Sequence, residues 1–528
     1  MSLAKLPLGQ SFFPKLRAGG YLYVDKTKLI ADLITGDAQY YFLARPRRFG
    51  KSLLLSTIQA VLEREQALFT DLAISQIDYH WHYHAVIKLD FSLLSAQSAS
   101  NFEISLIDQL KKIADKQQVN LDTSSGILNI VVGNLILALK QKYTRVALLI
   151  DEYDRPLLHN LTALKRAREL QFVMQDFFAC LKAHCDSLDF LLITGVSAFA
   201  RAGLFSGLNN LQNITLQPEY AAICGYTEAD ITTYLTPYLA HWAQAQGRRP
   251  VEIRTELQTW YNGYHFSAAP VTVYNPFSVT NALATQKCQN FWVATGTPTF
   301  LWHALKTEYR KSEYRLLKPE QFIVTGDMLA RYEVDEIPLA ALMMQAGYLT
   351  ITQYHSERDS YSLGYPNHEV RQAADNCLLA TLTLSDETQT KRIAEQLPVA
   401  LQQHNLDLAI DLLKQLFAKV PYQLHTKLES FYHSLLKMIC DTAGIKNYAE
   451  YPTSHGSIDL VLELSQVIYV IEVKFNQTPE LALAQIETKQ YYVPFMAQYK
   501  PIILWGINFK KTPGAFAIDH VHKLLNLD

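Results

Sequence analysis

Residues 40–52 read YYFLARPRRFGKS, and residues 53–63 continue as LLLSTIQAVLE. The apolar residues at the start favour a buried strand, and the run after Ser52 favours a helix. A strand, a tight loop and a helix N-terminus bring backbone N–H groups and the positive end of the helix dipole to one point, where an anion is favoured. The stretch therefore predicts a phosphate-binding loop.

This loop follows the pattern GxxxxGK[ST] except at its first glycine, where Arg45 stands. In that pattern Lys51 reaches the β- and γ-phosphates and Ser52 ligates Mg²⁺. A Gly-Lys-Ser tripeptide at an ordinary helix start is the alternative, with the nearby arginines as surface charge. The candidate nucleotide-binding residues of the loop are Arg47, Arg48, Gly50, Lys51 and Ser52.

A second apolar run, Val146–Ile150, ends in Asp151 and Glu152. A buried parallel strand that ends in carboxylates is typical of nucleoside triphosphatases. Asp151 is predicted to hold Mg²⁺, and Glu152 to polarise the attacking water. Buried strands also end in acidic residues for structural reasons, but together the two motifs predict ATP binding.

A third strand, Phe190–Val196, carries Thr194 near its carboxyl end. Ligands bind at the carboxyl ends of the strands in sheets of this kind, so Thr194 is predicted to contact the γ-phosphate. A plain β-forming residue is the alternative. Arg201 is a further candidate, as a phosphate sensor or arginine finger.

The order of apolar runs predicts an α/β fold. Four runs, including Ala85–Phe91, alternate with amphipathic stretches in residues 1–240, which predicts a P-loop domain with a parallel sheet covered by helices. Residues 241–420 are predicted to form a mainly helical connecting region. Residues 421–528 follow an α-β-β-α-β order and are predicted to form a compact α/β domain.

Composition limits the class of protein. The 528 residues are 49% hydrophobic and 19% charged, with a net charge of −2, which neither demands nor excludes nucleic acid. Six cysteines without metal-ligand spacing predict a reducing compartment, and the absence of a signal peptide or long apolar span predicts a cytoplasmic protein that does not enter a membrane.

The C-terminal region contains a predicted hairpin with facing carboxylates. If Ser465 and Gln466 form a two-residue turn, Asp459 lies opposite Glu472. Lys474 shares the face of Glu472, because side chains alternate along a strand. Facing carboxylates repel each other unless a divalent cation binds between them. An edge hairpin whose carboxylates point to solvent or pair with Lys474 is the alternative.

Neighbouring helices supply further candidates for this site. Glu429 is predicted to complete the metal site that Asp459 and Glu472 begin. Gln485, Lys489 and Tyr492 share a helix face and are candidate phosphate or base contacts, with a solvated face as the alternative.

The ordered motifs RPRRFGKSL, VIKLDFS, ALLIDEYD, LLITGVSAFARAGLF, WYNGYHFS, VYNPFSV, TGTPTFL, QAGYLTI and YPNHEVR resemble the bacterial AAA-ATPase-like family, which commonly carries a C-terminal PD-(D/E)xK nuclease-like domain. The resemblance extends across nearly the whole chain. It implies a P-loop AAA-ATPase-like domain at 1–240 and a restriction-endonuclease-like domain at 421–528. One departure is Ser457, which stands where such domains tend to have arginine.

These observations lead to one main hypothesis. ATP, bound with Mg²⁺ and hydrolysed in the N-terminal domain, controls metal-dependent cleavage of nucleic acid by Asp459, Glu472 and Lys474, with DNA the expected substrate. The alternative is an ATP-switched regulatory or nucleic-acid-binding protein whose nuclease-like domain is inactive. A homo-oligomer is a further possibility, by analogy with AAA-type ATPases.

Overall fold

The computed structural model describes residues 3–161, 163–197, 204–205, 208, 210–292, 322–330, 338–382, 387–418, 420, 429–512 and 515–525. Arg201 and the motif TGTPTF lie outside these residues. The chain divides into two compact units, residues 1–370 and 371–528. The predicted limits 1–240, 241–420 and 421–528 remain predictions.

A parallel five-stranded sheet organises the N-terminal unit, in the order β2-β3-β4-β1-β5. Because β1, β3 and β4 are buried at every residue and mostly apolar, they suit positions inside a sheet covered on both faces. Their carboxyl ends lie side by side and place the ends of the predicted motifs together. The strands are β1 Tyr40–Ala44, β2 Ala85–Asp90, β3 Val146–Asp151, β4 Phe190–Gly195 and β5 Leu211–Asn213.

Helices surround this sheet and fill the crossovers that parallel strands require. They are α1 Phe13–Ala18, α2 Thr27–Thr35, α3 Lys51–Leu62, α4 Ala99–Lys116, α5 Leu128–Lys142, α6 Arg155–Leu158 and α7 Leu164–Ala183. Short 3₁₀ turns occur at Gln66–Phe69, Ala73–Gln76, Phe91–Leu93, Cys185–Ser187 and Pro218–Tyr220.

The middle of the chain is mainly helical, as predicted, and contains short strands that the sequence reading missed. Its helices are α8 Glu228–Asp230, α9 Thr236–Gln246, α10 Pro250–Tyr261, α11 Pro276–Thr285, α12 Gly326–Ala330, α13 Leu339–Ala346, α14 His368–Leu382, α15 Glu387–Gln402 and α16 Leu406–Phe417, with a π-helical turn at Ile231–Leu235. A hairpin joins β6 Tyr264–His265 to β7 Thr272–Val273. A three-stranded sheet has the order β8-β10-β9, with β8 Ile323–Thr325, β9 Thr350–His355 and β10 Ser360–Gly364.

A mixed five-stranded sheet forms the core of the C-terminal unit, in the order β11-β12-β13-β14-β15. Only β13 and β14 are parallel, and α18 lies between them in the chain. The predicted α-β-β-α-β order omitted the first and last strands of this sheet. The elements are α17 Glu429–Thr442, β11 Lys446–Thr453, β12 Gly456–Glu463, β13 Ile468–Phe475, α18 Pro479–Thr488, the 3₁₀ turn Val493–Gln498, β14 Ile502–Thr512 and β15 Ala515–Leu525.

The mixed α/β fold class expected from the sequence is confirmed. None of the helices in the described part of the chain is long and apolar enough to cross a membrane.

Candidate functional site

The loop between β1 and α3 closes around the ammonium group of Lys51. Gly50 precedes the helix at a φ of 94°, a conformation that favours glycine, and Arg48 has a φ of 66°. Lys51 is 6% exposed, and its Nζ donates to the carbonyl oxygens of Arg45 at 2.8 Å and Pro46 at 2.9 Å. Burial lowers the pKa of Lys51, and the charge of Asp151 opposes that effect.

Arg45 replaces the loop's first glycine and points into the protein. It is 1% exposed, and its guanidinium donates to the carbonyls of Ala44, Thr215 and Tyr220 and lies 4.3 Å from the ring centre of Phe266. Burial lowers its pKa to about 10. Arg45 therefore supports the loop from below, and its side chain is not among those that line the cavity above it.

Asp151 lies at the carboxyl end of β3 and connects the two predicted motifs through hydrogen bonds. Its Oδ2 accepts from Ser52 Oγ at 2.6 Å, and its Oδ1 accepts from Thr194 Oγ1 at 2.8 Å. Asp151 is 4% exposed and Thr194 is fully buried. The structure thus brings Ser52, Asp151 and Thr194 together as predicted from separate motifs. The buried hydroxyl of Thr194 contacts Asp151. Its predicted contact with the γ-phosphate remains a prediction.

Glu152 follows Asp151 with a φ of 49°, in the left-handed region. Its Oε2 accepts from Arg155 Nη1 at 2.9 Å, and both side chains line the same cavity. Sequence reasoning missed Arg155, although its position three residues after Glu152 was a usable signal.

Asp154, also missed, anchors the end of β4 from below. It is 1% exposed and accepts from the backbone N–H groups of Val196 at 3.0 Å and Ser197 at 2.6 Å. Burial raises its pKa to about 6. Asp154 thereby fixes the backbone that separates Glu152 from Arg155.

A cavity of about 490 Å³ opens over the loop. Four cations face it, opposed on the same wall by Glu152, and this charge balance suits a polyphosphate with Mg²⁺. A smaller cavity of about 70 Å³ adjoins it, since Gly50, Leu53, Tyr226 and Pro276 line both. The four cations are Arg47, Arg48, Lys51 and Arg155.

Residues of the middle region complete this cavity, which sequence reasoning missed. Phe277 lies 4.9 Å from the guanidinium carbon of Arg48 and lines the wall with Thr280. Trp292 Nε1 donates to the carbonyl of Arg47 at 3.1 Å. The middle region therefore contacts the phosphate-binding loop through these two aromatic residues.

In the C-terminal unit the predicted hairpin register is confirmed. Leu464 N donates to Val467 O, and Leu460 pairs with Ile471, so the register places Asp459 opposite Glu472. Asp459 Oδ2 accepts from Val473 N at 2.8 Å, which ties its carboxylate to the neighbouring strand.

Glu472 is 1% exposed, although it carries a carboxylate. Its Oε2 accepts from Gln485 Nε2 at 2.9 Å, while its Oε1 is buried with no hydrogen-bond partner among the described residues. Burial, and secondly the charge of Asp459, raise the pKa of Glu472 to about 9. The two carboxyl groups therefore lie close together in a buried site, where a bound cation would offset their mutual repulsion.

Lys474 lies beside this pair, and its ammonium group is near the carboxylates of Glu472 and Glu429. Its Nζ is 3.8 Å from Glu472 Oε2 and 3.6 Å from Glu429 Oε1. Glu429 therefore reaches the site through Lys474. Among the described residues no group of three or more His, Cys, Asp or Glu side chains is placed to hold a metal ion. Asp459 and Glu472 still fit Mg²⁺, which binds through one or two carboxylates and keeps several waters.

The predicted helix face shared by Gln485, Lys489 and Tyr492 is wrong, because α18 ends at Thr488 and the last two residues follow it. Gln485 joins the site, whereas the Lys489 ammonium lies 5.6 Å from the ring centre of Tyr491, and Tyr492 packs against the apolar core. His433, missed earlier, lies one turn after Glu429, and its Nε2 is hydrogen-bonded to the carbonyl of Asp459.

Comparisons with known proteins match the two parts of the chain that contain these residues. Residues 7–205 match a family model described as predicted AAA-ATPase, and residues 427–516 match one described as PD-(D/E)XK nuclease superfamily. The chain is 33% identical over 530 residues to a protein of Azotobacter chroococcum mcd 1 named "Uncharacterized protein in vnfD 5′ region", with 97% of each chain covered. No solved structure matches the chain.

Proposed function

Because the chain belongs to the predicted AAA-ATPase family and ends in a domain of the PD-(D/E)XK nuclease superfamily, we propose that it binds and hydrolyses ATP and that its C-terminal domain cleaves phosphodiester bonds of nucleic acid. The proposed nucleic acid is DNA. Control of cleavage by ATP, a cytoplasmic location and a homo-oligomer belong to the same proposal.

The observation that supports the ATPase half is the group of Lys51, Ser52 and Asp151 under one cationic cavity. Lys51 exchanges its loop carbonyls for the β- and γ-phosphates, whose charge favours the ammonium form that burial opposes. Ser52 and Asp151, whose side-chain oxygens lie 2.6 Å apart, would hold Mg²⁺. Mg²⁺ supplies charge neutralisation there when bound. Glu152 orients the water and accepts its proton.

The observation that supports the nuclease half is the buried, unpartnered Oε1 of Glu472 opposite Asp459. These two carboxylates would hold Mg²⁺, which supplies a water of lowered pKa and a counter-charge for the phosphate. Gln485 fixes the orientation of Glu472. Lys474 has its ammonium within 4 Å of Glu472 and neutralises charge that develops on the scissile phosphate.

A cleavage assay tests the nuclease half. Labelled single- and double-stranded DNA and RNA are incubated with Mg²⁺ or Mn²⁺, with and without ATP. We expect metal-dependent cutting of DNA that disappears in Asp459→Ala and persists in Asp519→Ala, a half-exposed carboxylate on the last strand of the same sheet. ATP hydrolysis with no cutting under any condition would contradict the nuclease proposal.

Two substitutions test the ATPase half. Lys51→Ala should abolish ATP binding because the counter-charge of the phosphates is lost, and unchanged affinity would contradict the assignment of the loop. Glu152→Gln should keep ATP binding and stop turnover. A fully active Glu152→Gln variant would remove Glu152 from the proposed mechanism.

A second candidate function is an ATP-switched protein whose C-terminal domain binds nucleic acid without cutting it. The observation that favours it is Lys474, an internal cation already within 4 Å of Glu429 and Glu472. Calorimetric titration with Mn²⁺ separates the two. A nuclease should bind Mn²⁺ and lose it in Asp459→Ala, whereas the switch should bind none at the hairpin.

A further inference from the structure

Glu152 and Arg155 form an ion pair on the wall of the nucleotide cavity. Arg155 Nη1 donates to Glu152 Oε2 at 2.9 Å, and the two side chains are 40% and 36% exposed. Both line the cavity beside Gly50, Lys51 and Ser52. While Oε2 of Glu152 accepts from this guanidinium, that oxygen is less available to accept a proton from water.

The backbone on either side of this pair is fixed, so only the side chains can exchange partners. Asp154 is anchored to Val196 and Ser197, and Pro156 and Leu157 directly after Arg155 are buried. The ion pair itself is half exposed, and pairs of that kind contribute little free energy. Arg155 can therefore leave Glu152 at small cost.

A terminal phosphate is the stronger partner for this guanidinium. It carries more negative charge than one carboxylate, and its oxygens match the two parallel donors of arginine. Lys51 lines the same cavity, and its Nζ donates to the carbonyls of Arg45 and Pro46.

We propose that Arg155 is a cation that exchanges partners: it holds Glu152 in the ion pair seen here and transfers to the terminal phosphate when a nucleoside triphosphate binds. This inference rests on the proposed ATPase function. When Arg155 changes partner, Glu152 becomes available to the attacking water. The guanidinium then lies next to the γ-phosphoryl group and offsets its negative charge. A nucleoside diphosphate lacks that phosphate and leaves the ion pair intact.

The water oxygen forms a bond to the γ-phosphorus while the bond from that phosphorus to the β–γ bridging oxygen breaks. The electron pair of the broken bond stays on ADP. The proton of the water passes to the Glu152 carboxylate and then to the products, and Arg155 donates to the γ-oxygens throughout.

Binding and turnover of the full-length Arg155→Ala variant test this inference. We expect ADP affinity to stay within about 2-fold of wild type, ATP affinity to fall about 10-fold because a charge-assisted hydrogen bond is lost, and turnover to fall about 100-fold or more. Arg155→Lys keeps the charge and should be intermediate. Arg166→Ala, which removes an arginine that does not line the cavity, is the matched control and should behave as wild type.

A double-mutant cycle separates partner exchange from a structural role. Glu152→Gln in a protein that retains Arg155 should raise ATP affinity up to about 5-fold. Arg155 then no longer has to break an ion pair with a charged carboxylate before it binds the phosphate. The same change with Arg155→Ala should leave ATP affinity unaltered. Equal losses of ADP and ATP affinity in Arg155→Ala, or unchanged turnover, would overturn the inference while the ATPase function stands. Wild type that binds neither nucleotide would overturn both.

Discussion

The side-chain amide of Gln485 donates a hydrogen bond of 2.9 Å to Oε2 of Glu472. This contact joins α18 to β13 and occupies the one carboxylate oxygen that faces the helix. The other oxygen, Oε1, stays buried without a partner beside Asp459. Gln485 therefore determines which oxygen of Glu472 is left for a cation.

Removal of this contact should weaken metal binding. In Gln485→Leu we expect Mn²⁺ affinity to fall about 10- to 100-fold, because partners that orient a metal ligand have effects of that size. Calorimetric titration of the full chain measures it. Gln498→Leu changes an exposed glutamine outside the site and should leave the affinity unaltered. Equal affinities in all three proteins would exclude Gln485 from the site.

The hydroxyl of Thr194 should matter through Asp151. Thr194→Val keeps the shape of a fully buried side chain and removes the 2.8 Å hydrogen bond to Asp151. We expect ATP turnover to fall about 10-fold, with a higher Mg²⁺ concentration needed for half-maximal rate. Thr272→Val, at an exposed strand position, is the control. A lower rate with no change in Mg²⁺ dependence would instead indicate a direct phosphate contact.

Restoration of the missing loop glycine should lower the stability of the protein. Arg45→Gly leaves three carbonyls in the interior without their donors, those of Ala44, Thr215 and Tyr220. We expect the free energy of unfolding to fall by about 3 kcal/mol. Arg64→Gly makes the same change at an exposed residue with a φ of 61° and should be neutral or stabilising. Urea unfolding measures both, and an equally stable Arg45→Gly variant would contradict the structural role of Arg45.

Glu369 provides a pH test in the N-terminal unit. It is fully buried, and its carboxylate accepts from the backbone N–H groups of Phe291 and Trp292 at 2.7 and 2.8 Å and from Ser278 Oγ at 2.7 Å. Burial raises its pKa from 4.5 to about 7. Trp292 in turn donates to the phosphate loop at Arg47.

A raised carboxyl pKa means that the stability from Glu369 is fully present below its unfolded pKa and is lost as the pH rises through about 7. Glu369→Gln is neutral, and its amide can donate to Ser278. Between pH 4.5 and 8 we expect wild type to lose up to about 3 kcal/mol relative to this variant. Thermal unfolding over that range measures it, and parallel pH profiles would contradict the raised pKa.

The four strands predicted for the N-terminal sheet are present to within one residue at each end, because continuous apolar runs next to polar loops define buried strands. The short edge strand Leu211–Asn213 was missed, since its three residues are only partly buried and carry no apolar run. In the C-terminal unit, Lys446–Thr453 was missed for a similar reason. Half of its residues are exposed and mixed in character.

Site residues could be predicted from the sequence where they are close together in the chain or are joined by a short turn. Asp459 and Glu472 face each other because a two-residue turn fixes the register of its hairpin. Local spacing did not show that Arg45 points inward, since the direction of a loop side chain depends on what packs below it. Arg155 was missed although its spacing of three residues from Glu152 was a usable signal, whereas the contact of His433 with the Asp459 carbonyl depends on packing between distant segments.

The sequence alone determined the four longer strands of the N-terminal sheet, the phosphate loop, the acidic strand end and the carboxylate pair, because each depends on local patterns of residues. Only the tertiary structure decided which strands are neighbours, and so that Ser52, Asp151 and Thr194 meet although 99 and 43 residues separate Asp151 from its two partners. It also decided that Phe277 and Trp292 enclose the loop and that Gln485 holds Glu472. Contacts of this kind depend on packing between distant segments, which the local pattern of residues does not encode.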